Sequence, residues 1–275
     1  MKPKVVGLLL MALVFCVSAM LSSPVVLSQA QDEYVGSKGC GMCHKAIKEL
    51  FDKHAHAKLA HGCEDCHGPG HEHAATGPKN LRELKKNKGD LKIISHNKSE
   101  MCGMCHKRNK DNTLSLFSDD LVLSKQQYTE MLINKKAKFK FNCVMCHDPH
   151  ATVKSKEGIK RACLDCHKAK FKKDVKIKAM AGLSCEDCHM PYAGRKASDT
   201  MVKGYHKGDE RSHIFGISAD PDYKLNDGSK KAALNKDGFA RLTVEMTCYA
   251  CHKTGTGGAP DMSREVLLDR ADKIH

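Results

Sequence analysis

Apolar residues follow a regular spacing in only a few short stretches of this 275-residue chain. Lys2 and Lys4 precede an uncharged apolar stretch from Val5 to Leu21, then Ser22-Ser23-Pro24 and a small-residue site at Ser28-Gln29-Ala30. A basic start, an apolar centre and a Ser-x-Ala exit predict a secretory signal peptide over residues 1–30, cleaved after Ala30. No twin arginine is present, so the general secretion route is expected. Left uncleaved, the uncharged run to Leu27 would be long enough to anchor the chain in a membrane. Further on, Asn80 reads as an N-cap before Leu81-Arg82-Glu83-Leu84. Ser124 and Gln127 read as a capping box ahead of Tyr128, Met131 and Leu132 at helical spacing. Residues 190–247 are rich in Gly, Asp and Pro and read as loop. Within them, Ala240, Leu242, Val244 and Met246 alternate as a short strand would. A closing helix is expected from Asp261 or Ser263.

Superimposed on this weak pattern is a strong one. Cys-x-x-Cys-His occurs seven times, at Cys40/Cys43/His44, Cys63/Cys66/His67, Cys102/Cys105/His106, Cys143/Cys146/His147, Cys163/Cys166/His167, Cys185/Cys188/His189 and Cys248/Cys251/His252. This composition would produce such a pentapeptide roughly 0.05 times by chance, and the spacing is that of c-type haem attachment. Two thiols bond the porphyrin's vinyl groups and the adjoining His reaches the iron. Zinc ribbons need two Cys pairs per metal and no His after each pair, and seven pairs cannot be divided that way. A thioredoxin-like site would need a single pair on a βαβ unit, and a disulfide framework has no use for the recurring His. Cys16, the cysteine outside the motifs, lies in the apolar leader and reads as packing.

The count changes how the composition is read. Without residues 1–30, the chain has 245 residues, or 35 per motif, with no Trp and 5% aromatic content. Such a chain builds a poor core of its own. The predicted fold is therefore mainly α with extensive loop and little β, a polypeptide wrapped round a chain of closely packed haems. Residues 31–275 form the haem domain, divisible into 31–106 with three motifs and 140–275 with four. Since cofactor binding contributes to folding, the apo chain is expected to be largely unfolded. The formal charge of +14 falls to +12 without the leader lysines, and fourteen propionates would bring the holoprotein near −2. Basicity here points to propionates and redox partners, not nucleic acid.

Seven motif histidines leave ten of the seventeen, enough for a second axial ligand on every iron. If residues 44–61 formed one helix, Ile47, Leu50, Phe51, His54 and His61 would share a face, with His56 opposite. The stretch from Cys40 to His73, with Phe51 before His56-Ala57-Lys58 and Gly68-Pro69-Gly70 after His67, resembles a pattern in multihaem c-type cytochromes. That resemblance implies His56 and His73 as distal ligands. It also implies His150, in Cys146-His147-Asp148-Pro149-His150, and His213, in Ser212-His213-Ile214-Phe215-Gly216. His96, His61 and His206 complete the expected set. For His71, His54 and His275, ligation and a solvated or propionate-bonding role are both open. Met104 and Met145, inside their motifs, are read as packing.

These features predict seven covalently attached haems c and electron transfer in the periplasm or outside the cell. The partners would be donor and acceptor cytochromes or a membrane quinol dehydrogenase, with an oligomer permitted by the histidine surplus. Two other readings stand beside it: a multihaem oxidoreductase of the ammonia-forming nitrite reductase type, and a subunit of an extracellular haem filament. The reductases often mark the open iron with Lys in place of the motif His. All seven motifs here keep His, which favours a carrier over an enzyme.

Overall fold

A computed structural model describes residues 33–77, 80, 82, 86, 98–134, 142–171, 180 and 182–274. The predicted leader and most of the helix expected after Asn80 lie outside these residues. The chain divides into two compact units: residues 1–96 with 148–158, and residues 97–147 with 159–275. The third motif, expected with the first two, thus groups with the C-terminal four. Its Ser99 explains this, since the hydroxyl accepts the Cys143 amide at 3.3 Å. No helix among the described residues is long and apolar enough to cross a membrane.

The described residues of the first unit include the short helices α1 (Gly36–Cys40), α2 (Lys45–Phe51), α3 (Glu64–His67) and α4 (His71–Thr76). The chain does not continue as one helix from His44 to His61. It leaves α2 after Phe51 and re-enters as a 3₁₀ turn over Ala55–Lys58. Its buried apolar side chains among the described residues are Phe51 and Ala151. What ties it together is polar: Glu64 is buried, and its carboxylate accepts the amides of Val35 at 2.9 Å, Gly36 at 2.7 Å and Gly70 at 2.8 Å. One side chain of the second motif thereby fixes the start of α1 and the Gly-Pro-Gly turn into α4.

The second unit carries α5 (Ser99–His106), α6 (Gln127–Leu132), α7 (Leu164–Phe171), α8 (Cys185–His189), α9 (Val244–His252) and α10 (Arg264–Ala271). Three strands, β1 (Val122–Leu123), β2 (Gly194–Val202) and β3 (Tyr205–Glu210), form one sheet in that order, β1–β2 parallel and β2–β3 antiparallel. This unit has an apolar core of polypeptide. Leu114, Leu116, Val122, Ile214, Leu225, Leu242 and Met246 pack with Ala193 and Ala240, and Val244, Leu267 and Leu268 form a second cluster.

The β2–β3 hairpin falls in the stretch read as loop. Its strands, GRKASDTMV and YHKGDE, are largely solvent-facing and polar, so no alternation marks them. The marker is the turn: Lys203 (φ 48) and Gly204 (φ 79) both take positive φ, as a two-residue hairpin turn requires. The pairing register shifts between Gly194 and Asp199, and there the Asp209 carboxylate takes the amides of Lys196, Ala197 and Ser198 at 2.6 to 3.1 Å. Burial pushes this carboxyl up, but the three amides outweigh it and hold it down at about 2.

Two other expectations are corrected. Ser124 does not cap a helix: its amide bonds Arg195 O beside the sheet, Lys125 takes φ 60, and α6 starts only at Gln127. Gln126 holds the turn instead, bonding Ser115 and Leu123 from a fully buried position. The alternation of Ala240, Leu242, Val244 and Met246 does mark four buried residues. Only the first half is extended, bridged to Ile217; Thr243 then caps Met246 N and α9 begins. The closing helix α10 follows Ser263, whose hydroxyl accepts Val266 N.

Candidate haem-binding sites

Each motif folds into one helical turn. In the first, second, fourth and fifth, the His amide bonds the first Cys carbonyl four residues back at 2.9 to 3.1 Å. The third, sixth and seventh lie at the C-terminal ends of α5, α8 and α9. Residues i and i+3 of a turn share a face, so the two thiols stand together with the imidazole next to them. None of the fourteen motif cysteines forms a disulfide. Among the described residues no three His, Cys, Asp or Glu side chains form a cage for a metal ion.

The motifs associate through their first cysteines. Cys40 lies against Cys63, and burial together with Cys63 and Glu64 pushes its thiol up to about 11. Cys163 lies against Cys185 and Glu186, with burial the largest cause of a rise to about 12. Cys248 rises to about 12 by burial, with Cys188 nearby. Cys143 goes the other way, to about 6, chiefly through its bond with Cys102 and despite burial. A serine three residues ahead of a motif recurs as the link: Ser37 Oγ accepts Cys63 N at 3.1 Å, as Ser99 Oγ accepts Cys143 N.

All seven first cysteines are half-buried, whereas Cys43, Cys105 and Cys166 are exposed, as is Cys66. In these four motifs the first cysteine turns toward a neighbouring motif, Cys40 with Cys63, Cys102 with Cys143 and Cys163 with Cys185. Beside Cys166 the structure places the Arg161 guanidinium, whose Nη1 lies 3.8 Å from its sulfur. Cys146, Cys188 and Cys251 are half-buried because more chain packs there: Lys160 N bonds Cys146 O at 2.9 Å, and Cys188 lies near Cys251. A thioether bond needs a thiol that a vinyl group can reach, not one enclosed by protein, so the exposed four remain competent for attachment.

The ring nitrogens show what the histidines are held to do. Among motif histidines, His189 Nδ1 lies 2.7 Å from Phe215 O and His252 Nδ1 lies 2.9 Å from Pro260 O. A carbonyl only accepts, so Nδ1 carries the proton and Nε2 keeps the lone pair a metal needs. His106 Nδ1 meets Gln127 Oε1 at 3.0 Å in the same way. Phe215 reaches its position with φ 61, unusual for a bulky side chain. Arg211 locks the end of α8, donating to Glu186 O and Met190 O at 2.8 Å. Gln127, Phe215, Pro260 and Arg211 were not legible as site residues, because each acts through hydrogen bonds set by the fold.

A metal–nitrogen bond of about 2 Å on each face of one iron puts its two imidazole centres about 6 Å apart. Among the described residues, the following pairs have that spacing. His44 and His73 are 6.4 Å apart, His67 and His150 are 6.0 Å apart and within 2° of parallel, and His147 and His213 are 6.1 Å apart. Each pair joins a motif His to one outside the motifs. His150 is oriented by Asp148, which takes its amide at 2.9 Å and meets its Nδ1 at 3.2 Å. Among the described residues, the Nδ1 atoms of His147 and His213 are buried with no hydrogen-bond partner. Burial lowers both rings, His213 to about 4, and keeps them neutral. Paired cysteines on a turn and imidazoles at this spacing fit haem c, which would be held by these residues.

The other expected ligands are placed differently. His206 has both nitrogens on carboxylates, Nδ1 3.2 Å from Asp120 and Nε2 2.6 Å from Asp199, so it is spoken for within the sheet. His61 stacks on Tyr34 at 4.2 Å. His56 lies 4.3 Å from His54, whose Nδ1 accepts the His56 amide. His96 and His275 lie outside the described residues.

No family model matches the chain. It is 24% identical over 182 residues to the multiheme cytochrome MtrA of Shewanella baltica, covering 60% of this chain and 48% of MtrA. It is also 24% identical over 220 residues to the dissimilatory sulfite reductase MccA of Wolinella succinogenes, covering 63% of this chain and 28% of MccA. The structure of that octaheme enzyme superposes with a TM-score of 0.52 at 18% identity, over 77% of this chain and 40% of the enzyme. The chain spans less than half the length of these relatives. It is thus related in sequence to multihaem cytochromes and shares the fold of one.

Proposed function

We propose that the chain is a heptahaem c-type cytochrome that transfers electrons in the periplasm or outside the cell. The observation that carries this reading is the set of three imidazole pairs, each joining a motif His to a second His at the spacing one iron demands. Seven haems would be held by the fourteen motif cysteines and by His44, His67, His106, His147, His167, His189 and His252. His73, His150 and His213 would be distal ligands to the first, second and fourth. Bound haem supplies one-electron chemistry at iron. The chain's own residues fix what surrounds it: backbone carbonyls hold proximal imidazoles in one tautomer, burial keeps His147 and His213 uncharged, and the distal histidines occupy the position a substrate would need. Donor and acceptor would be other redox proteins.

Intact-mass measurement of the secreted holoprotein tests the count. Seven haems on a chain beginning near Gln31 are expected; any other number contradicts the reading.

A second reading, a multihaem reductase, is favoured by one site. No ring contact joins His252 to another histidine among the described residues, and a relative in sequence and fold is a sulfite reductase. A high-spin ferric haem in the oxidised holoprotein would favour it over the carrier.

A further inference from the structure

We propose that Glu130 and Asn134, one turn apart at the end of α6, are positioning residues that aim His213 at the iron of the fourth motif. The inference rests on the reading of His213 as a distal ligand. The histidines with settled orientation are held by the ring: Phe215 O, Pro260 O, Gln127 Oε1 and Asp148 each engage an Nδ1. His213 has no such hold, because among the described residues its Nδ1 is buried without a hydrogen-bond partner. Its direction must come from its backbone, and both polar groups of that backbone are gripped, the amide by Glu130 of α6 and the carbonyl by Asn134 just beyond its end. Glu130 Oε2 accepts the His213 amide and, at 2.9 Å, the Ser212 hydroxyl. Asn134 Nδ2 donates to His213 O at 2.8 Å and to Glu130 O at 2.8 Å.

The grip is built of costly groups. Glu130 is 3% and Asn134 1% exposed, and no lysine or arginine pairs with the carboxylate among the described residues. A buried carboxyl without a counter-ion is expensive. An apolar residue would fill the same space at lower cost, so the polar pair is best explained by what it holds. Ser212 completes the frame, its hydroxyl also accepting Ile214 N at 3.2 Å. Amide, carbonyl and the preceding side chain of His213 are thus fixed across 79 to 83 residues of sequence.

The test uses the full holoprotein and low-temperature electron paramagnetic resonance, with haem content checked by intact mass. His213→Ala should remove about one seventh of the low-spin intensity, the share of one iron among seven. Glu130→Ala, with all haems attached, should shift or convert that same share, and Glu130→Gln, which keeps an acceptor oxygen, should restore it. A low-spin spectrum unchanged by Glu130→Ala, alongside a changed one for His213→Ala, overturns the clamp alone. An unchanged spectrum for His213→Ala overturns the ligand reading and the clamp with it. If Glu130→Ala is not recovered with its haems, Asn134→Ala is read against the same two outcomes, having lost only the carbonyl half of the grip.

Discussion

The two units of this chain solve the same problem with different materials. In the C-terminal unit, Leu114, Leu116, Val122, Ile214, Leu225, Leu242 and Met246 make a core of ordinary kind. In the N-terminal unit, the described residues bury Phe51 and Ala151 and little else apolar, while Glu64 ties three backbone amides together. Burying apolar surface is the main driving force for folding. The described residues supply little such surface, and the haems the unit would attach at Cys40/Cys43 and Cys63/Cys66 would add to it. The exposure of Cys43 and Cys66 agrees with this, since polypeptide alone does not cover them. On this account, dependence on cofactor would differ between the two units.

The largest effect that would break this comparison comes from removing an attachment site. Cys63→Ala with Cys66→Ala should abolish amide exchange protection across residues 33–77 while leaving that of α9 and α10 in place. Equal loss in both units would show that the C-terminal core is not self-sufficient. Leu242→Ala, in the centre of that core, should cost about 2 to 5 kcal/mol in denaturant unfolding, the range for emptying a packed leucine site. Glu64→Gln puts an amide donor where one of three backbone donors is now accepted. It should cost about 1 to 3 kcal/mol, read as faster exchange at Val35, Gly36 and Gly70.

The smallest effect is a matter of pH. The Asp209 carboxyl sits at about 2 in the fold against an ordinary 3.8. A depressed folded value stabilises above the unfolded one, so its contribution is present above about pH 4 and is lost as pH falls toward 2. Asp209→Asn should remove this part of the acid sensitivity of the β2–β3 hairpin, followed by exchange at Lys196 to Ser198.

How much of this was readable in the sequence follows the range of each interaction. The seven motifs are local, and the helical turn they need is local too, so spacing alone reveals them. Which of their thiols the protein covers is not local: Cys43, Cys66, Cys105 and Cys166 are exposed, whereas Cys146, Cys188 and Cys251, in motifs of the same spacing, are half-buried. The buried alternation of Ala240 to Met246 was visible, but its change from extended chain to helix depends on Thr243 capping Met246 and could not be seen in hydrophobicity. The hairpin was missed because its strands are polar on both sides, leaving only Lys203-Gly204 as a signal. The histidines outside the motifs were hardest. His73, His150 and His213 came from a resemblance of short segments, not from periodicity, and the structure brings each within 6.0 to 6.4 Å of a motif His. His206 looked equivalent in sequence, yet Asp120 and Asp199 close on both of its nitrogens from 86 and 7 residues away.

The central claim is that three histidines outside the motifs complete the coordination of three irons. Electron paramagnetic resonance of the oxidised holoprotein, compared with His73→Ala, His150→Ala and His213→Ala made singly, tests it most directly. Each variant is predicted to convert a different single haem from low spin to high spin, leaving the other signals as they were. Low-spin spectra that all three variants leave unchanged would contradict it.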